Sequence, residues 1–257
     1  MLKLVVLCSV FIPIAIIGVQ AFFIDSRIIG GHEVNITEYP YQVRLDLQGK
    51  YRCGGSIISR TWIITAAQCI VEGPASDMTV RVGTSHQITG GQLFNVSAII
   101  VNANYTISSG DYDIALIQLK EPIALSELAQ TVRLPDNEDT DLDGRIGTVT
   151  GWGRTTENGN DSRILRAVDV PVVNRETCNS IYNSINYRSY VTERMLCTGF
   201  MEGDKNPCKG DGGAPLVVDS VLTGIAGWSN GCASPGVPHV YTNVAAFRDW
   251  ITDITGI

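Results

Sequence analysis

Short apolar runs follow one another along most of the chain, and glycine, asparagine or aspartate separates each run from the next. Examples are residues 42–45, 78–82, 114–119 and 216–218. Runs of this length with no helical periodicity between them are typical of strands in β-barrels or sandwiches. Only the tail, residues 244–254, has the spacing of an amphipathic helix. The pattern therefore predicts an all-β protein that ends in one helix.

The first residues form a separate segment. The basic residue Lys3 precedes an apolar run from Leu4 to Gly18, and small residues follow it at the spacing that a signal peptidase uses. A membrane anchor is the competing interpretation, but Pro13 interrupts a run that is already at the short limit for crossing a bilayer. We therefore predict a cleaved signal peptide over residues 1–21 and a secreted, extracellular protein.

Cysteine usage agrees with secretion. The chain has seven cysteines, of which Cys8 lies in the predicted signal peptide. The remaining cysteines are even in number, which in a secreted chain indicates three disulfides, although the sequence alone leaves their pairing open. They are Cys53, Cys69, Cys178, Cys197, Cys208 and Cys232. With three histidines and no Cys-x-x-Cys motif, we expect no zinc site.

The acidic composition excludes some partners. The formal net charge is −7, and basic clusters are absent, which argues against binding to nucleic acid or to anionic membranes. Four Asn-x-Ser/Thr triplets predict a glycoprotein. Their acceptors are Asn35, Asn95, Asn104 and Asn160.

One segment carries a family resemblance. Residues 208–216 read Cys-Lys-Gly-Asp-Gly-Gly-Ala-Pro-Leu, which resembles the nucleophile loop Cys-x-Gly-Asp-Ser-Gly-Gly-Pro-Leu of the chymotrypsin/trypsin-like serine proteases. The resemblance runs from Ile28 to the end of the chain. It implies two six-stranded antiparallel β-barrels with a C-terminal helix. The implied bounds are about 28–120 and about 135–243 for the barrels and about 244–254 for the helix. The implied disulfides are Cys53–Cys69, Cys178–Cys197 and Cys208–Cys232.

The catalytic triad of the family is degenerate in this chain. Gly212 stands in the position of the serine and has no oxygen with which to attack. The base motif Thr-Ala-Ala-His-Cys reads Thr-Ala-Ala-Gln-Cys, and the amide of Gln68 cannot take up a proton near neutral pH. Asp113 keeps the third position, and we expect the Gln68 amide to donate to it. We therefore predict that the chain is not an enzyme.

Other parts of the family machinery are present. The resemblance makes the backbone N–H groups of Gly210 and Gly212 a remnant of the oxyanion hole. Arg27 followed by Ile28 resembles the activation junction, with residues 22–27 as a propeptide. Cleavage there would free an ammonium group that pairs with Asp211 in the family, so the chain is zymogen-like.

The primary specificity pocket departs from the family pattern at three positions. Trypsin-type members carry aspartate where this chain has Asn206, so the charge that would hold lysine or arginine is missing. Ser229 and His239 each replace a glycine, and we expect the imidazole of His239 to obstruct the pocket. Residues 83–91, which match a calcium loop, contain no acidic ligand. We predict neither a metal nor a cofactor.

These features favour a secreted, catalytically inactive homologue (a pseudoprotease) that acts by protein binding. We expect a decoy or modulator of a proteolytic cascade such as host complement, clotting or melanisation, and hence a role in immune evasion. Its partner would be a protease, a zymogen or a cascade component. The inactivated protease paralogues of parasitic mites are the type that it resembles. The alternative is a weakly active or rearranged serine endopeptidase of digestive type, and a third interpretation is a gut or salivary protein without a specific partner.

Overall fold

The protein is described by a computed structural model. The predicted signal peptide and activation junction lie outside the residues that it describes, so the predictions for them remain open. The described ranges are 31–70, 73–136, 141–156, 158–185, 190–203, 207–232 and 234–257. Within these ranges, none of the helices has the length and apolar character needed to cross a bilayer.

A short strand and the six strands of the first barrel come first along the chain: β1 (His32–Glu33), then β2 (Gln42–Leu47), β3 (Lys50–Ile57), β4 (Trp62–Thr65), β5 (Met78–Val82), β6 (Gln92–Val101) and β7 (Ala115–Leu119). The barrel closes from its six antiparallel strands in the order β2-β3-β4-β7-β6-β5. Alternation of apolar and polar residues explains which side chains point inward: in β5, Met78, Val80 and Val82 are buried, and the residues between them are partly exposed.

The second barrel is formed by β8 (Ile146–Gly151), β9 (Arg166–Val173), β10 (Met195–Thr198), β11 (Pro215–Val218), β12 (Val221–Trp228) and β13 (His239–Asn243). Its strand order is β9-β10-β13-β12-β11-β8, and it closes through the pairing of β8 with β9. Strand β1 adds a short pairing to β9. Together the two closed antiparallel barrels confirm the predicted all-β fold.

The C-terminal helix is present but begins later than the sequence pattern indicates. Residues Ala245–Phe247 form a 3-10 turn, and helix α2 follows over Arg248–Thr255. Phe247 and Ile251 are buried in the same apolar cluster as the core of the first barrel. The tail of the chain therefore follows the last strand of the second barrel and packs against the first.

A second helix contradicts the prediction of a single one. Helix α1 spans Arg175–Ser184, and the side chain of Asn174 caps it by accepting hydrogen bonds from two backbone N–H groups of its first turn. Tyr182 of this helix is fully buried, donates its hydroxyl hydrogen bond to the carbonyl of Pro238 at 2.5 Å, and packs edge-on against Trp228. Helix α1 thus supports the ends of β12 and β13.

We expect Tyr182→Phe to lower the free energy of unfolding by about 1–2 kcal/mol, because the buried carbonyl of Pro238 loses its donor. Urea unfolding of the variant and the parent protein measures this difference. Tyr190→Phe is the matched control, since the Tyr190 side chain is 70% exposed and should change stability by less than about 0.5 kcal/mol. Equal midpoints for both variants would show that the hydroxyl does not support the strand ends.

Candidate functional site

Five of the family positions that the sequence singles out line one cleft between the barrels: Gln68, Gly210, Gly212, Ser229 and His239. Its volume is about 320 Å³, which lies within the usual range for ligand sites. The first barrel contributes Gln68 and the Cys53–Cys69 disulfide, and the second contributes Gly212 and His239. The fold therefore assembles the site in the manner of the family, although its chemistry has changed.

Gln68 lines this cleft from a 3-10 turn, Ala67–Cys69, that the Cys53–Cys69 disulfide joins to β3. Its side-chain Nε2 donates to Asp113 Oδ2 at 2.8 Å and to the carbonyl oxygen of Gly227 at 2.6 Å. A register shift in the pairing of β12 with β13 leaves Gly227 out of the regular ladder, so its carbonyl accepts from the amide. Both amide hydrogens of Gln68 are therefore committed.

Asp113 is almost fully buried beneath Gln68, at 2% exposure. Burial raises its pKa to about 6, against hydrogen bonds from the backbone and side chain of Gln68 that lower it. The backbone N–H of Gln68 lies 2.8 Å from Asp113 Oδ1. Since both carboxylate oxygens accept from Gln68, Asp113 is satisfied structurally and holds the amide in place.

Gly212 has the space for a side chain that it lacks. A Cβ atom added there would lie 3.5 Å from Cys53 Sγ and 3.7 Å from Cys69 Sγ, which are ordinary contact distances. The next residue, Gly213, differs: its φ is +76° and a Cβ atom would lie 2.2 Å from Thr65 Oγ1. The backbone thus requires glycine at 213 but not at 212, where a Cβ atom has ordinary contacts.

The two glycines of the predicted oxyanion-hole remnant also line the cleft. They are Gly210 and Gly212, and within the described part of the chain neither backbone N–H group donates to an acceptor. Gly210 has a φ of +96°, and its carbonyl accepts from the hydroxyl of Tyr51 at 2.7 Å. Binding of an oxyanion by the two N–H groups stays a prediction.

Asp211 lies behind this loop and is 1% exposed. Its carboxylate accepts from the backbone N–H of Gly153 at 2.8 Å and of Cys208 at 3.1 Å. Glycine is required at position 153, because a Cβ atom there would lie 2.4 Å from this carboxylate. Burial raises the pKa of Asp211 to about 7. Its predicted partner, the amino group of Ile28 freed after Arg27, lies outside the described residues and stays a prediction.

The structure describes two of the three predicted positions of the specificity pocket, Ser229 and His239. Asn206 lies outside the described residues, so its role remains a prediction. Ser229 donates its hydroxyl to the carbonyl of Gly231 at 2.5 Å. His239 is the first residue of β13, lines the cleft and is 6% exposed, with its ring edge-on to Tyr241. Obstruction of the pocket by the imidazole of His239 stays a prediction.

The disulfides have the connectivity that the family resemblance implies. Two of them border the cleft: Cys53–Cys69 lies next to Gly212, and Cys208–Cys232 lies next to the pocket, while Cys178–Cys197 joins α1 to β10. Among the described residues, no cluster of histidine, cysteine, aspartate or glutamate has the arrangement needed to hold a metal ion.

Two cationic side chains of the cleft were not predicted from the sequence. Arg52 and Lys209 both line it and are both exposed. Arg52 donates from Nη2 to the carbonyl of Gln68 at 3.1 Å. No sequence motif identifies either residue. Arg52 lies in β3 and Lys209 directly precedes Gly210, and only the packing of β3 beside that loop brings both to the cleft.

Comparison with known proteins agrees with this geometry. The sequence model of the family described as Trypsin matches residues 28–251. Trypsin 5G1 of Aedes aegypti is 40% identical over 91% of this chain and 86% of its own length. The vitellin-degrading protease of Bombyx mori is 37% identical over 89% of this chain and 86% of its own length. Trypsin of Phaedon cochleariae is 39% identical over 91% of this chain and 90% of its own length. The chain belongs to the trypsin family, whose members act on protein substrates.

These relatives correct the functional prediction. They carry the names of proteases, so the prediction of an inactive decoy or modulator of complement, clotting or melanisation, with a role in immune evasion, is wrong. The physical reason is that the missing groups, an imidazole at position 68 and a hydroxyl at position 212, concern only one chemical step. They do not create a surface for a cascade component, and they say nothing about which partner a protein meets.

A pH dependence follows from Asp211. Its folded-state pKa of about 7 is above that of an unfolded aspartate, so the native state of the uncut chain binds an extra proton. The contribution of Asp211 to the free energy of unfolding should therefore be largest below about pH 4 and should fall as the pH rises to about 7. Asp211→Asn should flatten this fall in denaturant titrations of protein kept uncut by Arg27→Ala.

The matched control for this variant is Asp253→Asn, which removes a carboxylate at an exposed position of α2; the fall between about pH 4 and pH 7 should remain, because Asp211 is intact. An unaltered profile in Asp211→Asn would mean that the Asp211 carboxyl group does not hold its proton in the fold.

Proposed function

We propose that the chain is a weakly active endopeptidase of the digestive trypsin type that binds polypeptide in the cleft and lacks triad catalysis. Water, rather than a serine hydroxyl, attacks the bound peptide carbonyl, and the leaving amine takes up the proton that water releases. The N–H groups of Gly210 and Gly212 stabilise the oxyanion. Hydrolysis by this route forms no acyl-enzyme.

A single observation carries the proposal: the Gln68 amide has both hydrogens engaged, by Asp113 and by the Gly227 carbonyl, beside a Gly212 without a side chain. An amide has no basic nitrogen, so no group in this arrangement removes a proton from a nucleophile. The open cleft and the two unengaged N–H donors support substrate binding and oxyanion stabilisation, which do not require the triad.

The size of the loss follows from proteases in which the triad has been removed. Such enzymes keep about 10³–10⁴-fold acceleration over water, from binding and the oxyanion hole, and lose about 10⁶-fold in kcat. We propose rates in this range for this chain. The sequence predicts that the chain is not an enzyme, and this stays a prediction; the proposal keeps only its basis, the degenerate triad positions Gln68 and Gly212.

Secretion is also part of the proposal. It is supported by the apolar run Leu4–Gly18 that follows Lys3 and by three disulfides, which persist in oxidising compartments. The propeptide at 22–27 fits a protein that is cut before use. The likeness to inactivated paralogues of parasitic mites stays a prediction.

The experiment is a kinetic comparison of the protein cut after Arg27 with the double variant Gln68→His, Gly212→Ser, on a peptide library with all side chains represented. We expect slow hydrolysis by the parent, no labelling by a serine-directed fluorophosphonate, and a gain of at least about 10³-fold in the double variant. Each single variant should gain little, because triad members act as a unit.

Asp113→Asn added to the double variant is the control, and it should remove most of the gain. Fluorophosphonate labelling of the parent protein, with loss of its activity, would contradict the proposal by revealing another nucleophile. Failure of the parent to bind any peptide of the library would equally overturn it.

The glycosylation prediction is testable on the secreted protein. The acceptors Asn35, Asn95, Asn104 and Asn160 are all exposed, so the fold leaves them open to modification. We expect removal of N-glycans by peptide N-glycosidase to lower the mass of the protein. Asn→Gln at each acceptor should reduce this mass loss by one glycan. An unchanged mass would show that the triplets are not used.

A further inference from the structure

Two of the four predicted glycosylation acceptors lie in segments that border the cleft. Asn104 and Asn160 are both exposed, so a glycan attached to either one would extend from the surface into solvent. A glycan is a bulky and well-solvated group, and its effect on binding depends on where it is attached. The packing of each segment determines that place.

The segment that carries Asn104 packs beside Trp228, which lines the cleft. The backbone N–H of Asn104 donates to Oδ1 of Asn102 at 3.1 Å, and that of Gly110 donates to the carbonyl of Thr106 at 3.0 Å, so the segment is closed into turns. Gly110 lies so close to Trp228 that an added Cβ atom would be 2.8 Å from the indole Nε1. Asn104 precedes Thr106 by two residues, a span of at most about 7 Å. Asn104 is therefore anchored near the Trp228 side of the cleft.

The segment that carries Asn160 packs beside another part of the cleft wall. The next residue, Asp161, places its Oδ1 3.3 Å from the position of a Cβ atom added to Gly210. The backbone N–H of Arg154, which forms an isolated bridge with Asp161, donates to the carbonyl of Lys209 at 2.8 Å. Gly210 and Lys209 both line the cleft. Asn160 thus lies one residue from a direct contact with the cleft wall.

The other two acceptors lie elsewhere on the surface. Asn35 is in the loop before β2, where the backbone N–H of Ile36 donates to Ser85 Oγ at 2.8 Å. Asn95 is in β6, opposite Thr79 of β5. Among the described residues, neither acceptor lines the cleft, and neither do its neighbours in sequence. The chain therefore offers two acceptors beside the cleft and two away from it.

We propose that N-glycans at Asn104 and Asn160 flank the cleft and set the size of the partner that reaches it. An extended polypeptide segment enters the cleft, and a folded protein is kept out. This inference rests on the proposed function, because it concerns access to the cleft in which polypeptide binds. It makes the two glycans determinants of specificity.

The difference between the two kinds of partner follows from how much surface each one contacts. A stable complex of two folded proteins buries about 800 Å² on each partner, so a folded protein must contact the rim of the cleft as well as its interior. Glycans on the rim occupy that surface. An extended peptide strand occupies the cleft alone and leaves the rim uncovered. The glycans should therefore slow the association of folded partners and leave that of peptides unchanged.

The first test measures access to the cleft without a substrate. Lys209 is exposed and lines the cleft, so acylation of its amine reports which reagents reach that place. Protein secreted from glycosylating cells is treated with succinimidyl acetate or with a succinimidyl ester of a long polyethylene glycol chain. Peptide mapping by mass spectrometry then quantifies the reaction of each lysine.

The double variant Asn104→Gln, Asn160→Gln removes both acceptors beside the cleft. We expect the small reagent to modify Lys209 equally in the parent and in this variant. The polymer should modify Lys209 about ten-fold faster in the variant, a change within the range over which association rates differ among variants of one interface.

The matched control is Asn35→Gln, Asn95→Gln, which removes the same number of acceptors away from the cleft. It should leave the reaction of the polymer with Lys209 as slow as in the parent. Lys120 is the internal reference, because its backbone N–H donates to the carbonyl of Asn95 at 2.9 Å. Its reaction should not respond to Asn104→Gln, Asn160→Gln. Where a variant is not secreted, peptide N-glycosidase applied to the folded parent takes its place and should speed the reaction of the polymer with Lys209.

The second test uses one hexapeptide of the library that the parent binds. The hexapeptide is offered free or inserted into an exposed loop of thioredoxin, a folded carrier. The free hexapeptide should bind equally to the parent and to Asn104→Gln, Asn160→Gln. The carrier should associate about ten-fold faster with the variant than with the parent.

The outcomes separate this proposal from the proposed function. Equal reaction of the polymer with Lys209 in the parent and in Asn104→Gln, Asn160→Gln would overturn the role of the glycans and leave the proposed function standing. A mass that shows no glycan at Asn104 or at Asn160 would do the same. Failure of every library peptide to bind would overturn the proposed function, and the reaction of Lys209 would still decide whether the glycans restrict access.

Discussion

The amide of Gln68 is the interaction on which the site depends, because it joins the two barrels where chemistry would occur. It lies in the first barrel and donates to Asp113 of that barrel and to the Gly227 carbonyl of the second. An imidazole can give one N–H to a carboxylate and keep the other nitrogen free for a proton. An amide that uses both hydrogens to satisfy buried acceptors has no such nitrogen. The same contact therefore holds the cleft together and removes its base.

The cleft keeps its shape because other groups hold the nucleophile loop. The Asp211 carboxylate packs against Gly153 so closely that a Cβ atom would overlap it, and Gly213 approaches Thr65 in the same way. The two bordering disulfides fix the neighbouring turns. None of these contacts uses a triad hydroxyl or imidazole. The presence of glutamine at 68 and glycine at 212 is therefore compatible with all the contacts that hold this loop.

The fold was predictable where burial alternates along the chain, as in β5, and where an amphipathic stripe is strong, as in α2. Helix α1 was missed because its sequence is mostly polar, and what stabilises it is the Asn174 cap and the burial of Tyr182 against β12 and β13. The cap residue was readable from the sequence, but the packing surface was not. The predicted decoy role was wrong because an absent side chain defines a missing reaction and does not define a partner.

By itself the sequence determined the family, the strand pattern, and the absence of an alcohol at Gly212 and of an imidazole at Gln68, since these are properties of residue identity and local periodicity. The tertiary structure decided which acceptors engage the Gln68 amide and that Arg52 and Lys209 come to the cleft. It also buried both imidazole nitrogens of His239 without a hydrogen-bond partner among the described residues. These depend on contacts between residues far apart in the chain, across a barrel interface. Periodicity does not encode such distances, and only the closed barrels set them.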